Sequence, residues 1–137
     1  MWTLEITPDV LQVAAEAVPA DSPIYMVNLL RYKDQADYAD PGNAHPRSGR
    51  EAYAEGYVPA FRKIAAEHGV EVFYLGNALT ALVGPDGEQW DDVGIVKYPS
   101  FAAFRRIVES AEYKTSAEPH RLAALADWRL IATARVV

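Results

Sequence analysis

The sequence contains no cysteine, and this absence excludes several chemistries at once. A chain of 137 residues without a thiol has no disulfide framework, no thiol nucleophile, no thiolate zinc site and no cysteine-held iron–sulfur cluster. Basic residues are also few: 13 lysines and arginines stand against 19 acidic residues, which leaves a formal net charge of −6 at pH 7. Nucleic-acid binders need clustered cations to displace counterions from phosphate. Because the basic residues here are scattered, we expect no nucleic-acid partner.

Long apolar runs are missing as well. No stretch approaches the roughly 20 apolar residues of a membrane span, and the N-terminus MWTLEITPDV lacks the basic start and the apolar run of a signal peptide. We therefore expect no membrane partner and a cytoplasmic location. Half of the residues are nevertheless apolar, a share too high for disorder. The length suits one compact domain, which most often has about 100–150 residues, so we predict a single domain over residues 1–137 with its core over about residues 24–136.

The first third of the chain predicts a helix, a strand and a long loop. Thr7 followed by Pro8 is typical of an N-cap and a first helical residue, which predicts an N-terminal helix over about residues 7–18. The apolar run 24–30 (IYMVNLL) predicts a central strand that is buried on both faces. The polar segment 33–47 predicts a loop whose length is often functional, so we expect a lid or a partner contact there.

A second helix follows, with an expected interruption. Ser48 and Glu51 form a capping box, apolar and aromatic residues follow at helical spacing, and Gly69 is suited to end the helix. Inside this helix, Pro59 removes one backbone hydrogen bond and Gly56 loosens the same turn. We therefore predict a kink, or two short helices in line.

The remaining chain predicts a hairpin, another helix and a last strand. Residues 70–75 and 79–83 predict either two short strands or one bent strand, and residues 93–98 predict the next strand after a Gly-Pro-Asp-Gly turn. An amphipathic helix comes next, and 128–136 is the last strand. The order strand, helix, hairpin, helix, strand predicts an α+β fold. The predicted fold is a ferredoxin-like βαββαβ antiparallel sheet with helices on one face and the extra helix at the N-terminus.

Several short motifs appear in the order found in one known family. They are Met26–Tyr32 (MVNLLRY), Gly49-x-Glu51-Ala52-Tyr53, Tyr98-Pro99-Ser100 with Phe104, Ser110-x-Glu112-Tyr113 and Arg121-x-x-Ala124-Leu125-x-Asp127. Through them the chain resembles the DUF1330 family over about residues 24–134. The resemblance implies a dimeric α/β barrel, in which two ferredoxin-like protomers pair their sheets around a twofold axis, so we expect a homodimer. Relatives in that superfamily include cofactor-free monooxygenases, muconolactone-type isomerases and haem-binding proteins. The resemblance therefore implies a fold and a dimer but no particular reaction.

Asn28 is the sharpest candidate for a binding residue. It is a lone amide in an apolar strand, where burial without a partner costs roughly 1–3 kcal/mol. It must therefore bond to a protein group, to water or to a ligand. Two interpretations stay open: a satisfied core amide that helps to hold the following loop, or an amide that lines a ligand pocket.

Tyr53 and Tyr57 lie four residues apart on one helix face, just after Arg50. A tyrosine hydroxyl can orient a phenolate, enolate or carboxylate, and an arginine at a helix start can pair with an anion. Tyr98, at the end of a strand, is a further candidate for facing a cavity. The alternative for these tyrosines is packing with hydroxyls that reach solvent. We name Tyr53 and Tyr57 as catalytic candidates, and Asn28, Arg50, Tyr53 and Tyr98 as substrate-binding candidates.

Histidines and paired acids offer further candidates. His45, in the loop, is a candidate catalytic base, with a surface role as the alternative. The spacing of the three histidines matches no metal motif, so we expect no metal site and no cofactor. Asp91 and Asp92 could pair for acid–base work, but beside a turn and at a strand start we interpret them as a solvated turn.

Three functions are compatible with this sequence. The first is a cofactor-independent enzyme of isomerase or monooxygenase type that acts on a small aromatic or unsaturated acid or ketone. It would use Asn28, Arg50, Tyr53, Tyr57 and a histidine in a pocket between the helices and the sheet. The second is a protein that binds a small organic ligand without turnover. The third is a structural or interaction protein whose cavity is filled by its own aromatic side chains. A cavity with converging polar groups favours the first two.

Overall fold

The computed structural model describes residues 4–40, 42 and 45–137. Its elements follow one another in this order: α1 (Pro8–Ala17), β1 (Ile24–Tyr32), α2 (Gly49–Glu51), π1 (Ala52–Tyr57), α3 (Val58–Ala65), β2 (Glu71–Asn77), β3 (Asp92–Tyr98), α4 (Phe101–Val108), π2 (Tyr113–Ala117), α5 (Glu118–Ala124) and β4 (Leu125–Thr133). The segments π1 and π2 are π-helical, so their turns are wider than those of an α-helix. No helix in the described part of the chain is long and apolar enough to cross a membrane.

The four strands form one sheet in the order β2-β3-β1-β4, and every neighbouring pair is antiparallel. Helical segments connect β1 to β2 and β3 to β4, while β2 and β3 are joined without a helix. This is the βαββαβ connectivity of a ferredoxin-like fold, so the predicted fold class is confirmed. The apolar run that predicted a central strand forms β1, which has a neighbour on each side.

The two faces of the sheet have different surroundings. Met26 pairs with Val96 in the register, and its side chain is 2% exposed beneath the helices. The cluster of buried side chains that forms the hydrophobic core uses this face of the sheet. Successive side chains of a strand point to opposite faces, so Val27 and its register partners Ile95 and Ile131 lie on the other face. We call this second surface the free face; Ile131 is half exposed there.

Both predicted helix starts are confirmed. The Thr7 hydroxyl accepts a hydrogen bond from a backbone N–H of the first turn at 3.2 Å, and Pro8 is the first residue of α1. Leu11 then attaches α1 to the core. At the start of α2, the Glu51 side chain accepts from the Ser48 N–H at 2.9 Å, and the Ser48 hydroxyl accepts from the Glu51 N–H at 3.0 Å. This is the complete capping box that the sequence predicted.

The interruption predicted near Gly56 and Pro59 takes the form of π1. This wide segment precedes α3, so Pro59 lies in the first turn of α3, where a missing backbone N–H is tolerated. The helical region ends as predicted near Gly69. Its φ of 68° lies in the left-handed region that favours glycine.

The strand predicted over residues 79–83 does not form. β2 ends at Asn77, and the side chains of Leu79, Leu82 and Val83 are 92%, 91% and 96% exposed. These residues belong to a loop that leaves the sheet before β3 begins, so they have no neighbouring strand to pair with. Their apolar character imitated a strand, because a local pattern does not show whether a pairing partner exists.

The last strand begins earlier than predicted. β4 runs over Leu125–Thr133 and not over 128–136, because it follows α5 without a connecting loop. Its pairing with β1 already starts at Tyr32, opposite Leu125. The antiparallel partner therefore determined the start of this strand.

The loop predicted over residues 33–47 is tied to the body of the protein at its two ends. The Lys33 N–H donates to the Ala124 carbonyl at 2.8 Å, and the Gly49 N–H donates to the Lys33 carbonyl at 3.0 Å. A Cβ at Gly49 would collide with the backbone oxygens of Lys33 and Ala124, so only glycine fits this crossing. Residues 41, 43 and 44 of the loop lie outside the described residues. Its role as a lid or partner contact stays a prediction.

Candidate ligand cavity

A cavity of about 320 Å³ lies between the helical segments π1 and α3 and the helix-covered face of the sheet. Its volume is at the lower end of the range for small-molecule sites, roughly 300–1,000 Å³. The apolar wall is formed by Leu30, Val58, Phe61, Ala65, Val70, Val72, Leu75 and Val96. Polar side chains in the wall are Asn28, Tyr53, Tyr57, Arg62 and Tyr98. Four residues singled out in the sequence, namely Asn28, Tyr53, Tyr57 and Tyr98, therefore meet in one cavity.

An aromatic row forms one side of the cavity. Tyr53 and Tyr57 lie four residues apart, close to one helical turn, and their rings stack with centroids 4.9 Å apart. Phe61 continues the row, with its ring 5.8 Å from that of Tyr57. Such a row offers flat apolar surface, which suits a planar ligand.

The hydroxyls of the cavity tyrosines differ in their partners. Tyr57 Oη lies 3.0 Å from the Oη of Tyr113. Within the described part of the chain, the hydroxyls of Tyr53 and Tyr98 have no hydrogen-bond partner in the protein, and neither oxygen is closed off from solvent. Burial, reinforced by the neighbouring tyrosines, raises the pKa of Tyr53, Tyr57 and Tyr98 above the ordinary value of 10.0. All three hydroxyls are therefore protonated at neutral pH and act as donors.

Asn28 is part of the cavity wall, but its amide already has protein partners. Its Nδ2 donates to the carbonyl oxygens of Met26 and Gly94 at 3.3 and 3.4 Å, and its Oδ1 accepts from the indole N–H of Trp128 at 3.1 Å. These bonds are those of a satisfied core amide. Gly94, its register partner, also lines the cavity and adds no side chain to it.

Arg50 lies beside this cavity and not in it. It lines an adjoining crevice of about 340 Å³ that shares Leu30, Tyr53, Val58 and Leu75 with the cavity. Its Nη1 donates to Asp92 Oδ2 at 2.8 Å, and its guanidinium stacks over the ring of Tyr32 at 4.7 Å. The side chain is half exposed, at 51%. Arg50 is therefore held by the protein at the edge of the cavity.

The interpretation of Asp91 and Asp92 as a solvated turn is wrong. Asp92 accepts hydrogen bonds from Tyr32 Oη at 2.7 Å, Asn77 Nδ2 at 2.8 Å and Arg50 Nη1 at 2.8 Å. Asp91 accepts from the Tyr32 N–H at 2.9 Å. Burial by itself would raise the pKa of Asp92, but the bonds from Asn77, Tyr32 and Arg50 hold it below its ordinary value of 3.8. An ionised carboxylate with three donors fastens β1, β2 and the start of α2 to one another.

His45 lies elsewhere. It lines a separate groove of about 870 Å³ beside α5. In this groove Tyr38 Oη lies 2.6 Å from His120 Nδ1 and accepts from Arg47 at 2.8 Å. No histidine in the described part of the chain lines the tyrosine cavity, so the expected combination of a histidine with Tyr53 and Tyr57 does not form. Over the same residues, no group of three or more histidines and acids is arranged to hold a metal ion.

Sequence reasoning did not identify three residues that lie behind the cavity, namely Arg121, Tyr113 and Trp128. Arg121 is 1% exposed, and its Nε donates to Tyr113 Oη at 3.2 Å. Its guanidinium lies 4.5 Å from the ring of Trp128, the residue that bonds to Asn28. Arg121 and Tyr113 belong to the motifs behind the family resemblance, but the only signal of burial was one arginine directly before the apolar stretch 122–125 (LAAL). A single charge beside such a stretch is usually solvated, so this signal is weak.

The fold and this site define an α+β protein of the ferredoxin-like type with a small tyrosine-lined cavity between its helices and its sheet. The family described as "Domain of unknown function (DUF1330)" matches residues 44–134. This match covers more than half of the chain, so the chain belongs to the DUF1330 family, as the resemblance implied. β1, which carries one of the motifs behind the resemblance, lies before the matched range.

Solved structures agree with this assignment. The chain is similar to RPA0582, a protein of unknown function from Rhodopseudomonas palustris solved as a structural genomics target, with 31% sequence identity and a TM-score of 0.86. The similarity covers 100% of this chain and 99% of that chain. A structure of methylated RPA0582 is also 31% identical, with a TM-score of 0.82 over 98% of this chain and 96% of that one. No curated protein matches the chain.

Proposed function

We propose that the protein binds a small, largely apolar molecule with a hydrogen-bonding oxygen in the tyrosine-lined cavity. The supporting observation is the pair of hydroxyls on Tyr53 and Tyr98, which belong to the cavity wall and have no partner within the described part of the chain. Neither hydroxyl oxygen is closed off from solvent, so each can donate to water that enters the cavity. A ligand oxygen that takes the place of this water accepts the same hydrogen bond, while the rest of the ligand packs on the apolar wall, so the cavity favours such a ligand.

The shape of the cavity supports a planar ligand of ring size. The aromatic row of Tyr53, Tyr57 and Phe61 offers flat apolar surface. Arg62 contributes an exposed cation to the wall. These features suit a small aromatic or unsaturated ketone or acid: the neutral tyrosines donate to its oxygen, and Arg62 attracts a carboxylate. An open volume of about 320 Å³ counts against a cavity filled by the protein's own side chains.

Cofactor-independent catalysis, of isomerase or monooxygenase type, is the second candidate. Neutral tyrosine hydroxyls aimed at a carbonyl oxygen stabilise the negative charge that develops there during enolisation. However, no carboxylate and no imidazole in the described part of the chain lines the cavity. A reaction that needs a proton acceptor would have to take it from the substrate or from solvent. Binding without turnover is therefore the function that the geometry supports best.

We infer that two copies of the chain pair through the free face. Val27, Ile95 and Ile131 supply an apolar surface there, and the rings of Tyr25 and Phe73 meet on the same face at 5.1 Å. An apolar sheet face left in water is unfavourable. The free face points away from the cavity, so a homodimer leaves the cavity between the helices and the sheet of each copy.

The experiment compares two probes of similar shape, acetophenone and ethylbenzene, which differ in the carbonyl oxygen. Titrations followed by ligand-observed NMR measure the affinity of both probes for the wild-type protein and for Tyr98→Phe. We expect acetophenone to bind more tightly than ethylbenzene, and Tyr98→Phe to lose about 3- to 10-fold of its acetophenone affinity while keeping its ethylbenzene affinity.

Tyr38→Phe is the matched control. It removes the same atom from a part-buried tyrosine that lines the other groove, so it should leave both affinities unchanged. The proposal fails if neither probe binds the wild-type protein, or if Tyr98→Phe and Tyr38→Phe change acetophenone binding equally.

A further inference from the structure

A cation is buried behind the cavity. Arg121 is 1% exposed, and a guanidinium keeps its charge in proteins. Its Nη1 donates to the Leu4 carbonyl, and its face lies 4.5 Å from the Trp128 ring. Its ion-pair partner is Glu118, whose Oε2 is 3.5 Å from Nη2. This pair is long, and the Glu118 side chain is 29% exposed, so water screens the carboxylate more than the guanidinium. The buried site therefore keeps positive potential.

The hydrogen bonds between Arg121, Tyr113 and Tyr57 have one direction in which the proton of Tyr113 is not left without an acceptor. Arginine only donates, so Tyr113 Oη accepts from Arg121 Nε at 3.2 Å. Tyr113 is 1% exposed, and the acceptor for its own proton is Tyr57 Oη at 3.0 Å. Tyr113 therefore donates to Tyr57. The proton left without a protein acceptor is that of Tyr57, the one member of this series that lines the cavity.

We propose that Arg121, Tyr113 and Tyr57 form a relay that makes the cavity selective for a conjugated oxyanion, such as an ionised phenol or an enolate. This inference rests on the proposed function, because it concerns a ligand in the same cavity. Each bond in such a series polarises the next, so a cation at one end strengthens the donor at the other. Arg121 is a positioning residue here, since it acts on the ligand only through the two tyrosines.

The other groups around the cavity agree with an anionic oxygen. Tyr53 and Tyr98 add two protonated donors, whose high pKa keeps them neutral beside a bound anion. The charge of Asp92 acts on Tyr53, but this carboxylate lies in the adjoining crevice and is neutralised by its pair with Arg50 at 2.8 Å. The cavity thus has several donors and no free carboxylate in its described wall.

4-Nitrophenol tests the relay directly, because its phenol and its yellow phenolate have different absorbance spectra. The probe is titrated with wild-type protein at a pH where both forms are present, and the phenolate fraction of the bound probe is measured. We expect the wild-type protein to bind the phenolate about tenfold more tightly than the phenol, which lowers the pKa of the bound probe by about one unit. Nitrobenzene, an uncharged probe of the same shape, reports whether the cavity accepts a nitroaromatic ring.

Tyr113→Phe is the decisive variant, because it removes one buried oxygen from the middle of the relay without changing the cavity wall. We expect its preference for phenolate over phenol to fall to about threefold or less, with nitrobenzene affinity unchanged. Tyr57→Phe should have the same effect. Tyr38→Phe, which removes a tyrosine hydroxyl from the separate groove, should keep the wild-type preference. Arg121→Met is a supplementary variant, used only if its circular dichroism spectrum matches that of the wild-type protein.

The outcomes separate this inference from the proposed function. If nitrobenzene binds but phenol and phenolate bind equally, the relay is refuted and the ligand cavity stands. The relay is also refuted if Tyr113→Phe keeps the full phenolate preference. If no probe binds, the proposed function fails and the relay fails with it.

Discussion

Replacing Asn28 by leucine should destabilise the protein, because the structure shows what the amide holds. The indole N–H of Trp128 donates to Asn28 Oδ1 at 3.1 Å, and leucine leaves this donor without an acceptor. A part-buried donor without a partner costs roughly 1–3 kcal/mol. The two bonds that Asn28 donates are longer, 3.3 and 3.4 Å, so their loss adds little. Leucine also brings apolar surface to the cavity wall, which offsets part of the loss. We expect a net loss of about 1–2 kcal/mol.

The measurement is equilibrium unfolding in urea, followed by far-ultraviolet circular dichroism so that changes around Trp128 do not affect the signal. The midpoint should fall while the slope of free energy against urea stays constant, since the surface exposed on unfolding is unchanged. In a thermal scan the same loss corresponds to a lower Tm by about 3–8 °C for a chain of this size.

A double-mutant cycle isolates the bond between the two side chains. Trp128→Phe removes the indole N–H, so Asn28→Leu in that background no longer leaves it unpaired. We expect Asn28→Leu to cost about 1 kcal/mol less in the Trp128→Phe protein than in the wild-type protein. Additive effects, or a wild-type midpoint for Asn28→Leu alone, would refute the reasoning and leave Asn28 as a residue whose main partner is a ligand.

Three further predictions follow from other parts of the molecule. Light scattering at low micromolar concentration should give about twice the chain mass of 15.1 kDa, whereas Ile95→Glu on the free face should give the chain mass; a wild-type monomer would contradict the pairing of sheets. The folded-state pKa of Asp92 lies below its ordinary 3.8, so its stabilisation is complete above that pH and is lost as the pH falls through the lower value. When the free energy of unfolding is measured as the pH is lowered, the Asp92→Asn protein should therefore lose less stability than the wild-type protein. Parallel curves of this free energy against pH for the two proteins would contradict the prediction. Burial, together with Arg47, holds the pKa of His120 below its ordinary 6.5, so the stability of the protein should decline on acidification below that pH. His120→Gln should make this decline shallower. An unchanged slope of stability against pH would show that other groups cause the decline.

Much of the fold could be predicted because its signals are local. A threonine before a proline starts α1, and the capping box of Ser48 and Glu51 starts α2, because each satisfies backbone donors within one turn. The continuous apolar run of β1 predicted a strand in the middle of the sheet, with a neighbouring strand on each side. Element order followed from these local preferences, and with it the ferredoxin-like connectivity. The limits of β4 and the loop after Asn77 could not be predicted, because pairing depends on a strand that is distant in sequence.

The candidate site was only partly accessible to the same reasoning. Tyr53 and Tyr57 were found because four-residue spacing places two side chains on one helix face. Asn28 was found because an amide stands out in an apolar strand. His45 could not be placed, because a loop residue has no periodicity that fixes its direction. Asp92 looked solvated, since only the folded chain brings its three donors together.

By itself, the sequence determined the class of protein: no thiol chemistry, helices and strands in ferredoxin-like order, and aromatic hydroxyls on one helix face. Those properties depend on composition and on contacts within a few residues. The tertiary structure alone decided that Arg121 is buried, that Tyr113 connects it to Tyr57, and that an open volume remains beside them. The physical reason is that burial and hydrogen-bond direction are set by which distant segments pack together. A charge or a hydroxyl acquires its chemistry only from those neighbours.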